Sequence, residues 1–437
     1  MDPPARPCPV HKHGQTRADA VCHRAKPEDL LQGGHFEATG SHRKGFECLA
    51  GEGPNMKIFQ LRDVAFQIPA LFFKGQFDFE FELLPYSARK IGLRKAANFF
   101  LAGLNQYLLP SRPLGYPVIG QVEPANFCNL SCPLCLTSSI TKSRKPTLLP
   151  FQTFKHFIDE CGDYLLQLIF WNWGEPFLNP DLIRMITYAK AKGIIVHTST
   201  NGNVPLDEPQ AEALVDSGLD SLVVAVDGAT QKTYEQYRQG GHLDIVVSNI
   251  QKILRVRSMK GVDTPRINMR FVVMRHNESE VPAARDLAKK LGVDYFTLKT
   301  VDMPPVLGSD LDQSYAPEKS DYRRYEYNAD TFTRKEKPFV CMRPWKRITM
   351  DATGEIIPCE FEYQNKHSFG NIKDRSVLNV WKSHVAEDFR KAFHSGHNDF
   401  YLCRNCTYKD RIAEDCTVER FTITDNGMVP SHNKEAV

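Results

Sequence analysis

Between residues 117 and 302 the chain alternates short, apolar, β-branched runs with amphipathic stretches of helical period, and this alternation restricts the fold more than any other feature. Strands are predicted at VIGQVEP, LQLIFWN, IIVHTST, SLVVAVDG, INMRFVVM and DYFTLKTV. Helices are predicted at FQTFKHFIDECGDYL, PDLIRMITYAKAKG, PQAEALVDSG, 230–238, 243–258 and SEVPAARDLAKKLG, each closing near a Gly or Asn. Strands joined through helices run parallel and carry those helices on a face of the sheet. Six such units fit either an open doubly wound sheet or a partial barrel. In both, loops at the C-terminal strand ends converge on a site.

The flanks are less regular. Residues 1–55 are rich in Pro, Gly, His and charge with no sustained apolar period, which predicts a disordered tail. Cys8, His11, His13, Cys22 and His23 offer zinc donors there, at a spacing that fits no standard finger. Met56, opening MKIFQLRDVAF, is expected to be the biological start. Residues 56–116 carry Phe59, Phe66, Phe72 and Phe73, then KAANFFLAGLNQYLL, at mixed helical spacing. They predict a helical lead-in packed on the next unit, with a membrane-surface role as the alternative. After the core at 117–302, residues 303–338 are polar and irregular and are expected to form a linker or lid. A second cysteine-bearing unit is expected at 339–418 and a tail at 419–437.

Lys plus Arg number 55 against 52 Asp plus Glu, a formal net charge of +3, which argues against a dedicated nucleic-acid binder. No run approaches the roughly 20 apolar residues of a membrane span. The opening MDPPARPCPVHKHG lacks the apolar region of a secretory signal. A cytoplasmic protein is therefore expected, and there the 12 cysteines require an explanation, because the cytosol disfavours disulfides. Clustered cysteines in that setting point to metal or catalysis.

The first cluster is CNLSCPLC (128–135), a C-x3-C-x2-C run just after the first strand. Three thiolates on one loop suit a soft metal or an iron–sulfur cluster. Three ligands on a four-iron cube leave one iron open to substrate or cofactor. A structural zinc site lacking its fourth ligand, or unligated cysteines, are the alternatives. The second cluster holds Cys341, Cys359 within GEIIPC, Cys403 and Cys406 as C-x2-C, and Cys416. ITMDATGEIIPCEF predicts a hairpin turning at 351–354. Zinc competes with iron–sulfur at this second site, since a C-x2-C half is common in zinc ribbons. Cys48 and Cys161 look incidental, with Cys161 buried in its helix.

Four motifs occur in order: VEPANFCNLSCPLC (122–135), Trp173-Gly174-Glu175-Pro176, Ser199-Thr200-Asn201-Gly202, and Val226-Asp227-Gly228-Ala229 with Tyr237-Arg238 downstream. Through them the chain resembles the radical S-adenosylmethionine (SAM) superfamily. The resemblance implies an α/β fold, a partial (βα)6 TIM-like barrel followed by a small α+β cysteine-rich C-terminal domain. It implies a catalytic 4Fe-4S cluster on Cys128, Cys132 and Cys135. It also implies SAM contacts from Trp173, Gly174, Glu175 and Pro176 toward the methionine amino group, from Ser199, Thr200, Asn201 and Asp227, and from Arg238 toward the carboxylate. Two positions depart from the family pattern. Trp173 stands where the family has Gly, which is expected to crowd the backbone, and Ala225 stands where it has Ser.

Cys341, the G-x4-C ending at Cys359 and the C-x2-C at Cys403 and Cys406 resemble the SPASM/twitch extension of the same superfamily, and FGNIKDRSVLNVWKS (369–383) is typical of it. The later cysteines of a full extension are missing, so the shortened, twitch-type arrangement is implied, with one auxiliary 4Fe-4S cluster on Cys341, Cys359, Cys403 and Cys406 and no role assigned to Cys416. The implied activity is reductive cleavage of SAM to a 5′-deoxyadenosyl radical that takes hydrogen from a substrate. A flavodoxin- or ferredoxin-like protein would supply the electron. No peptide-binding domain is evident in residues 1–116, which favours oxidation or epimerisation of a small molecule, or of a lipid-linked one given the Phe-rich lead-in. Maturation of a ribosomally made peptide is the alternative, and a non-catalytic metal-binding scaffold is the reading outside enzymes.

Overall fold

A computed structural model describes residues 69–430 apart from 83, 140–143, 309, 338–340, 413–415 and 425–426. The expectations for residues 1–55, including the zinc donors and Cys48, and for Met56 as the start lie outside the described residues.

Six strands follow one another in sequence and in space: β3 (Ile119–Val122), β4 (Gln167–Ile169), β5 (Ile195–Thr200), β6 (Ser221–Ala225), β7 (Arg266–Val273) and β8 (Tyr295–Thr300). Every neighbouring pair among them is parallel. This is the partial barrel, and its strands are apolar because both faces are covered. Val122, Leu168, Val196, Leu222, Val224, Met269, Phe271, Phe296 and Leu298 face outward into the helix layer. Their alternates Ile119, Gln121, Ile169, Arg270, Val272 and Lys299 line an internal cavity.

The helices that return between strands carry one apolar face each. Helix Phe151–Cys161 buries Phe151, Phe154, Phe157, Ile158 and Cys161, at the i, i+3, i+4 spacing that a single face allows. Helix Glu208–Asp216 starts on a reciprocal capping box between Asp207 and Gln210. Helices Leu243–Lys260 and Val281–Leu291 both stop at a left-handed glycine, Gly261 and Gly292.

The lead-in differs from the wholly helical expectation. A hairpin of β1 (Phe77–Phe81) and β2 (Leu84–Ala88) precedes helix Leu93–Leu108. Leu71, Phe77, Leu84, Tyr86, Ala96 and Phe99 pack on Val118, Leu166, Ile195 and Tyr295, residues at the N-terminal ends of barrel strands. The hairpin therefore plugs the barrel floor. Its tip enters the lumen: the Phe81 ring lies 4.6 Å from the ring of His197 and 6.2 Å from that of Trp171. Beside it Glu82 pairs with Arg270 of β7 and, at 3.5 Å, with Lys299 of β8.

Burial alone would push the Glu82 carboxyl up, but Arg270 and Lys299 hold it down at about 2, below its ordinary 4.5. Its contribution to stability is complete above the unfolded-state value and is lost as pH falls toward 2. Changing Glu82 to Ala strands two cations in the lumen. The expected cost is about 2–3 kcal/mol at neutral pH, read as a lower urea midpoint, and the difference from wild type should narrow as the medium is acidified.

The C-terminal unit closes both edges of the barrel sheet. Strand β9 (Arg347–Met350) lies parallel beside β3, with β10 (Glu355–Ile357) and β11 (Gly370–Asn371) outside it. At the opposite edge β12 (Thr417–Thr424) pairs antiparallel with β8, and β13 (Gly427–Pro430) pairs with β12. Residues 419–424 and 427–430 are thus strands, which differs from the expectation of a tail. The alternating TVERFTIT and the Asn-Gly pair at 426–427 are a hairpin signal, and Phe421 packs on Phe296 of β8 with ring centroids 6.3 Å apart. The irregular stretch after β8 folds over the first cysteine loop, where Ala316 and Tyr325 share a small core with Leu134, Met274, Val301 and Met303. Among the described residues no helix is long and apolar enough to cross a membrane.

Candidate active site: two cysteine loops and one cavity

Cys128, Cys132 and Cys135 sit on the loop leaving β3 and form no disulfide. Burial pushes the Cys128 thiol up to about 11 and raises Cys132, and the neighbouring thiols add to both shifts. Several donors nevertheless point at the sulfurs. The Leu130 N–H lies 3.4 Å and Asn201 Nδ2 3.3 Å from Cys128 Sγ, while Arg238 Nη1 lies 3.8 Å from Cys132 Sγ. Buried thiols resist ionisation without a cation, yet these donors suit thiolates. That combination fits an iron–sulfur cluster, whose sulfur ligands are tuned by such hydrogen bonds.

The loops leaving β4 and β5 lock onto this loop. Gly174 has φ +95°, and a Cβ there would stand 2.2 Å from the Ala125 carbonyl oxygen and 2.8 Å from that of Phe127. The Glu175 N–H donates to the Phe127 carbonyl at 2.9 Å. The Glu175 carboxylate accepts from the Phe177 N–H (3.1 Å), the Thr200 hydroxyl (2.8 Å) and the Asn201 N–H (2.7 Å). Asn201 Nδ2 also donates to Asn129 Oδ1 at 2.9 Å. At the end of β6, Asp227 takes Arg238 Nε at 2.6 Å and the Val272 N–H at 2.8 Å.

The predicted contact residues therefore come together around the cysteine loop, with a division of labour that their sequence did not disclose. Glu175 and Asp227, both buried, are taken up in positioning loops. The N–H groups of Trp173 and Gly174 are engaged too, by Glu123 and by the Thr137 hydroxyl at 3.0 Å, which leaves their carbonyls, half-buried Ser199 and the outer N–H groups of Arg238 to meet a ligand. Pro176 is buried at the start of the short turn Pro176–Leu178. Replacing Gly174 by Ala is expected to displace the cysteine loop and to lower SAM-dependent turnover at least about tenfold, equivalent to about 1.4 kcal/mol. Gly193→Ala is the control, at φ +67° with open space around it, and should cost only about 1 kcal/mol of stability.

Trp173 does more than replace a glycine. Its Nε1–H donates to the Glu360 carbonyl at 2.6 Å, and its ring meets Phe361 edge-on at 6.4 Å. The expected crowding is avoided because the indole leaves the loop and packs with Cys359, Phe361, Leu402 and Cys403. Sequence reasoning also missed Glu123 and Arg144. Glu123 is fully buried, takes both Arg144 nitrogens (3.2 and 2.8 Å), and accepts from the Trp173 and Ala352 N–H groups at 3.3 and 3.1 Å. Arg144 reaches on to Asp351 at 3.3 Å. These groups join the first strand, the Trp173 loop and the C-terminal unit.

Cys341, Cys359, Cys403 and Cys406 line one cavity, and Cys416, at a left-handed φ of 60°, lines it too. Burial raises the first four thiols, Cys406 to about 12. Arg343 pairs with Glu360 beside them, and Arg347 lies 3.7 Å from the same carboxylate. Among the described residues, no three Cys, His, Asp or Glu side chains stand at the spacing of a single ion. The cavity measures about 810 Å³, part of which an iron–sulfur cluster would fill, and extends to Tyr237 near the first cysteine loop and to Trp171, Arg270 and Lys299 in the barrel. Of these lining groups, Arg270 carried a sequence signal, a charge in the middle of the run INMRFVVM.

Comparison with known proteins agrees with this layout. The Radical SAM superfamily pattern matches residues 122–288, and the SPASM iron–sulfur cluster-binding domain pattern matches 341–407. The chain is 25% identical over 337 residues to the PqqA peptide cyclase of Gluconobacter oxydans, covering 73% of this chain and 89% of that protein. It is 22% identical to the tungsten-containing aldehyde ferredoxin oxidoreductase cofactor-modifying protein of Pyrococcus furiosus, covering 66% and 87%. The crystal structure of Streptococcus suis SuiB bound to S-adenosylmethionine superposes with a TM-score of 0.51 at 14% identity, covering 72% of this chain and 77% of that one, a likeness of fold.

Proposed function

Because the chain belongs to the radical SAM superfamily and carries a SPASM iron–sulfur domain, and so uses SAM and 4Fe-4S clusters, we propose that it takes hydrogen from an organic substrate held in the barrel cavity and oxidises or epimerises it. The observation that carries this reading is the single cavity linking Tyr237, beside the first cysteine loop, to the second cysteine set. When bound, the first cluster supplies the electron that cleaves SAM, yielding the radical that abstracts hydrogen.

The chain's own residues do the placing. Cys128, Cys132 and Cys135 hold the catalytic cluster, with Asn201, the Leu130 N–H and Arg238 directed at the sulfurs. The backbone at 173–175, Ser199 and Arg238 orient SAM, while Glu175, Thr200, Asn201 and Asp227 keep those groups in register. Cys341, Cys359, Cys403 and Cys406 would hold one auxiliary cluster, which would serve as acceptor for the electron that a substrate radical gives up on oxidation. The core unit at 117–302 and the cysteine unit from 339 act as one body, sewn together by Glu123, Arg144, Asp351 and Trp173. Electrons arrive from a flavodoxin- or ferredoxin-like donor.

The auxiliary cluster would take part of the cavity of about 810 Å³, and the enclosed remainder favours a small substrate. A peptide is the second reading, favoured by the similarity to a peptide cyclase. Anaerobic reconstitution with iron and sulfide, followed by iron counting and a 5′-deoxyadenosine assay, tests the proposal. About eight irons per chain are expected. Zinc at the second cysteine set, or no 5′-deoxyadenosine, would count against it.

A further inference from the structure

A helix on the surface of a folded protein turns its polar side outward, because apolar groups gain by leaving water. Helix Leu93–Leu108 does the reverse. Its polar residues Lys95, Asn98 and Asn105 are buried and bind backbone. Lys95 Nζ donates to the Lys192 carbonyl at 3.4 Å, Asn98 Oδ1 accepts from the Tyr116 N–H at 2.7 Å, and Asn105 Oδ1 accepts from the Leu114 N–H at 2.9 Å. Leu93, Phe100, Leu101 and Leu108 face out, with exposures of 72%, 50%, 39% and 63%. Together with Ala97 and half-buried Leu104 they form one apolar stripe, about 22 Å long at 1.5 Å per residue. Phe73, 88% exposed, extends it at one end, close to Gly75, whose carbonyl accepts from the Ile91 N–H at 2.8 Å. Exposed Leu114 extends it at the other. Among the described residues, Arg94 is the one charged side chain that the helix exposes, and it turns aside to Asp163 and Tyr164, at 3.3 and 2.5 Å. The charge around the stripe has one sign. From 83 to 122 the sequence holds Arg89, Lys90, Arg94, Lys95 and Arg112 and no Asp or Glu. Arg89 and Lys90 are exposed just ahead of the helix and Arg112 just beyond it, where Lys382 donates to the Leu114 carbonyl at 3.4 Å.

We propose that this face docks the protein on an anionic bilayer, with the helix lying in the plane of the interface. Phe100 and the outward leucines enter the boundary between headgroups and acyl chains, while Arg89, Lys90 and Arg112 meet the headgroups. An apolar helical face bordered by cations is the composition of helices that lie on membranes, and anionic lipids attract such cations. The stripe also suits lipid better than a protein partner. Its six outward residues carry no polar side-chain atom, whereas interfaces between proteins carry about one hydrogen bond per 100–200 Å². On its inner side the same helix contributes Phe99, Ala102 and Gly103 to the cavity wall, and a Cβ at Gly103 would meet nothing within 4 Å. Docking thus brings the cavity within one helix of the lipid, whatever the cavity holds.

The test uses the reconstituted full-length protein in flotation assays with two kinds of vesicle, phosphatidylcholine alone and phosphatidylcholine with phosphatidylglycerol in equal parts. Wild type should bind the anionic vesicles at least about tenfold more tightly than the neutral ones. Phe100→Ser combined with Leu101→Ser should weaken that binding at least about tenfold. Arg89→Gln with Lys90→Gln should weaken it about fivefold. Met259→Ser is the control, since Met259 is 75% exposed on helix Leu243–Lys260, and should bind like wild type. Should the double serine variant fail to fold, Phe100→Trp decides alone: the fluorescence it adds should shift to the blue on anionic vesicles and be quenched by brominated acyl chains. No flotation of wild type, equal binding to both vesicles, or binding that the serine variant keeps would overturn the proposal. A concentration-dependent dimer that the serine variant abolishes, without flotation, would overturn it in favour of a second copy on this face.

Discussion

Changing Cys132 to serine is expected to reduce 5′-deoxyadenosine formation to background, a loss of at least about three orders of magnitude or about 4 kcal/mol of barrier. The loop leaves no substitute ligand. Cys128 and Cys135 are the other thiols on it, and the nearby carboxylates Glu175 and Asp227 are engaged by Thr200, Asn201, Phe177, Arg238 and Val272. Iron should fall from about eight to about four per chain. The fold should persist, because the loop is held independently by the Glu175 N–H on Phe127 and by Asn201 on Asn129. Iron analysis, circular dichroism and product chromatography on one preparation check all three points. Retention of SAM cleavage by the serine variant would remove this loop from the chemistry.

The second large effect is expected from Cys403→Ser combined with Cys406→Ser. Iron should again fall by about four per chain, but here SAM cleavage should survive while conversion of substrate falls at least about a hundredfold. The physical reason is separation of roles: these thiols open onto the shared cavity and lie outside the loop network of the first cluster. Stability should suffer more than in the Cys132 variant. The core around Cys359, Phe361, Leu402 and Cys403 is small, and metal binding supplies folding energy where apolar burial is limited. A lower melting temperature, with Trp173 more exposed to fluorescence quenchers, would report this. Simultaneous loss of SAM cleavage would mean that the Trp173–Glu360 contact makes the two sites inseparable.

The barrel was legible because its strands are buried on two faces and its helices on one, so period alone distinguishes them. The cysteine loop and the motifs at 173–176, 199–202 and 226–238 were legible because each lies at or just past a strand end, where residues near in sequence share one loop. What stayed hidden depends on partners distant in the chain. Glu82 and Arg270 stand 188 residues apart, and Trp173 and Glu360 stand 187 apart, so nothing local to either marks the contact. The hairpin before the barrel was missed because FDFEF and its neighbours also satisfy a helical spacing of aromatics. Only the floor on which Phe77 and Tyr86 pack selects the extended form. Glu175 is expected to face SAM, and its sequence could not reveal that the Phe177 N–H of its own loop and the Asn201 N–H of the next loop each claim one of its carboxylate oxygens.

The closure of the barrel sheet by β9 on one side and β12 on the other has a consequence for how the chain is made. Ribosomes deliver residues from the N-terminus onward, so β3 to β8 emerge before either strand that covers their edges. Until residues 347–350 and then 417–424 appear, the nascent sheet presents two open borders to other strands in the cell. Trp173 and Glu123 likewise await partners near residues 351–361. A stop introduced before Thr417 is thus expected to yield aggregated chains with the first cysteine loop intact in sequence, and a helper that binds exposed strands should matter most during that last interval of synthesis.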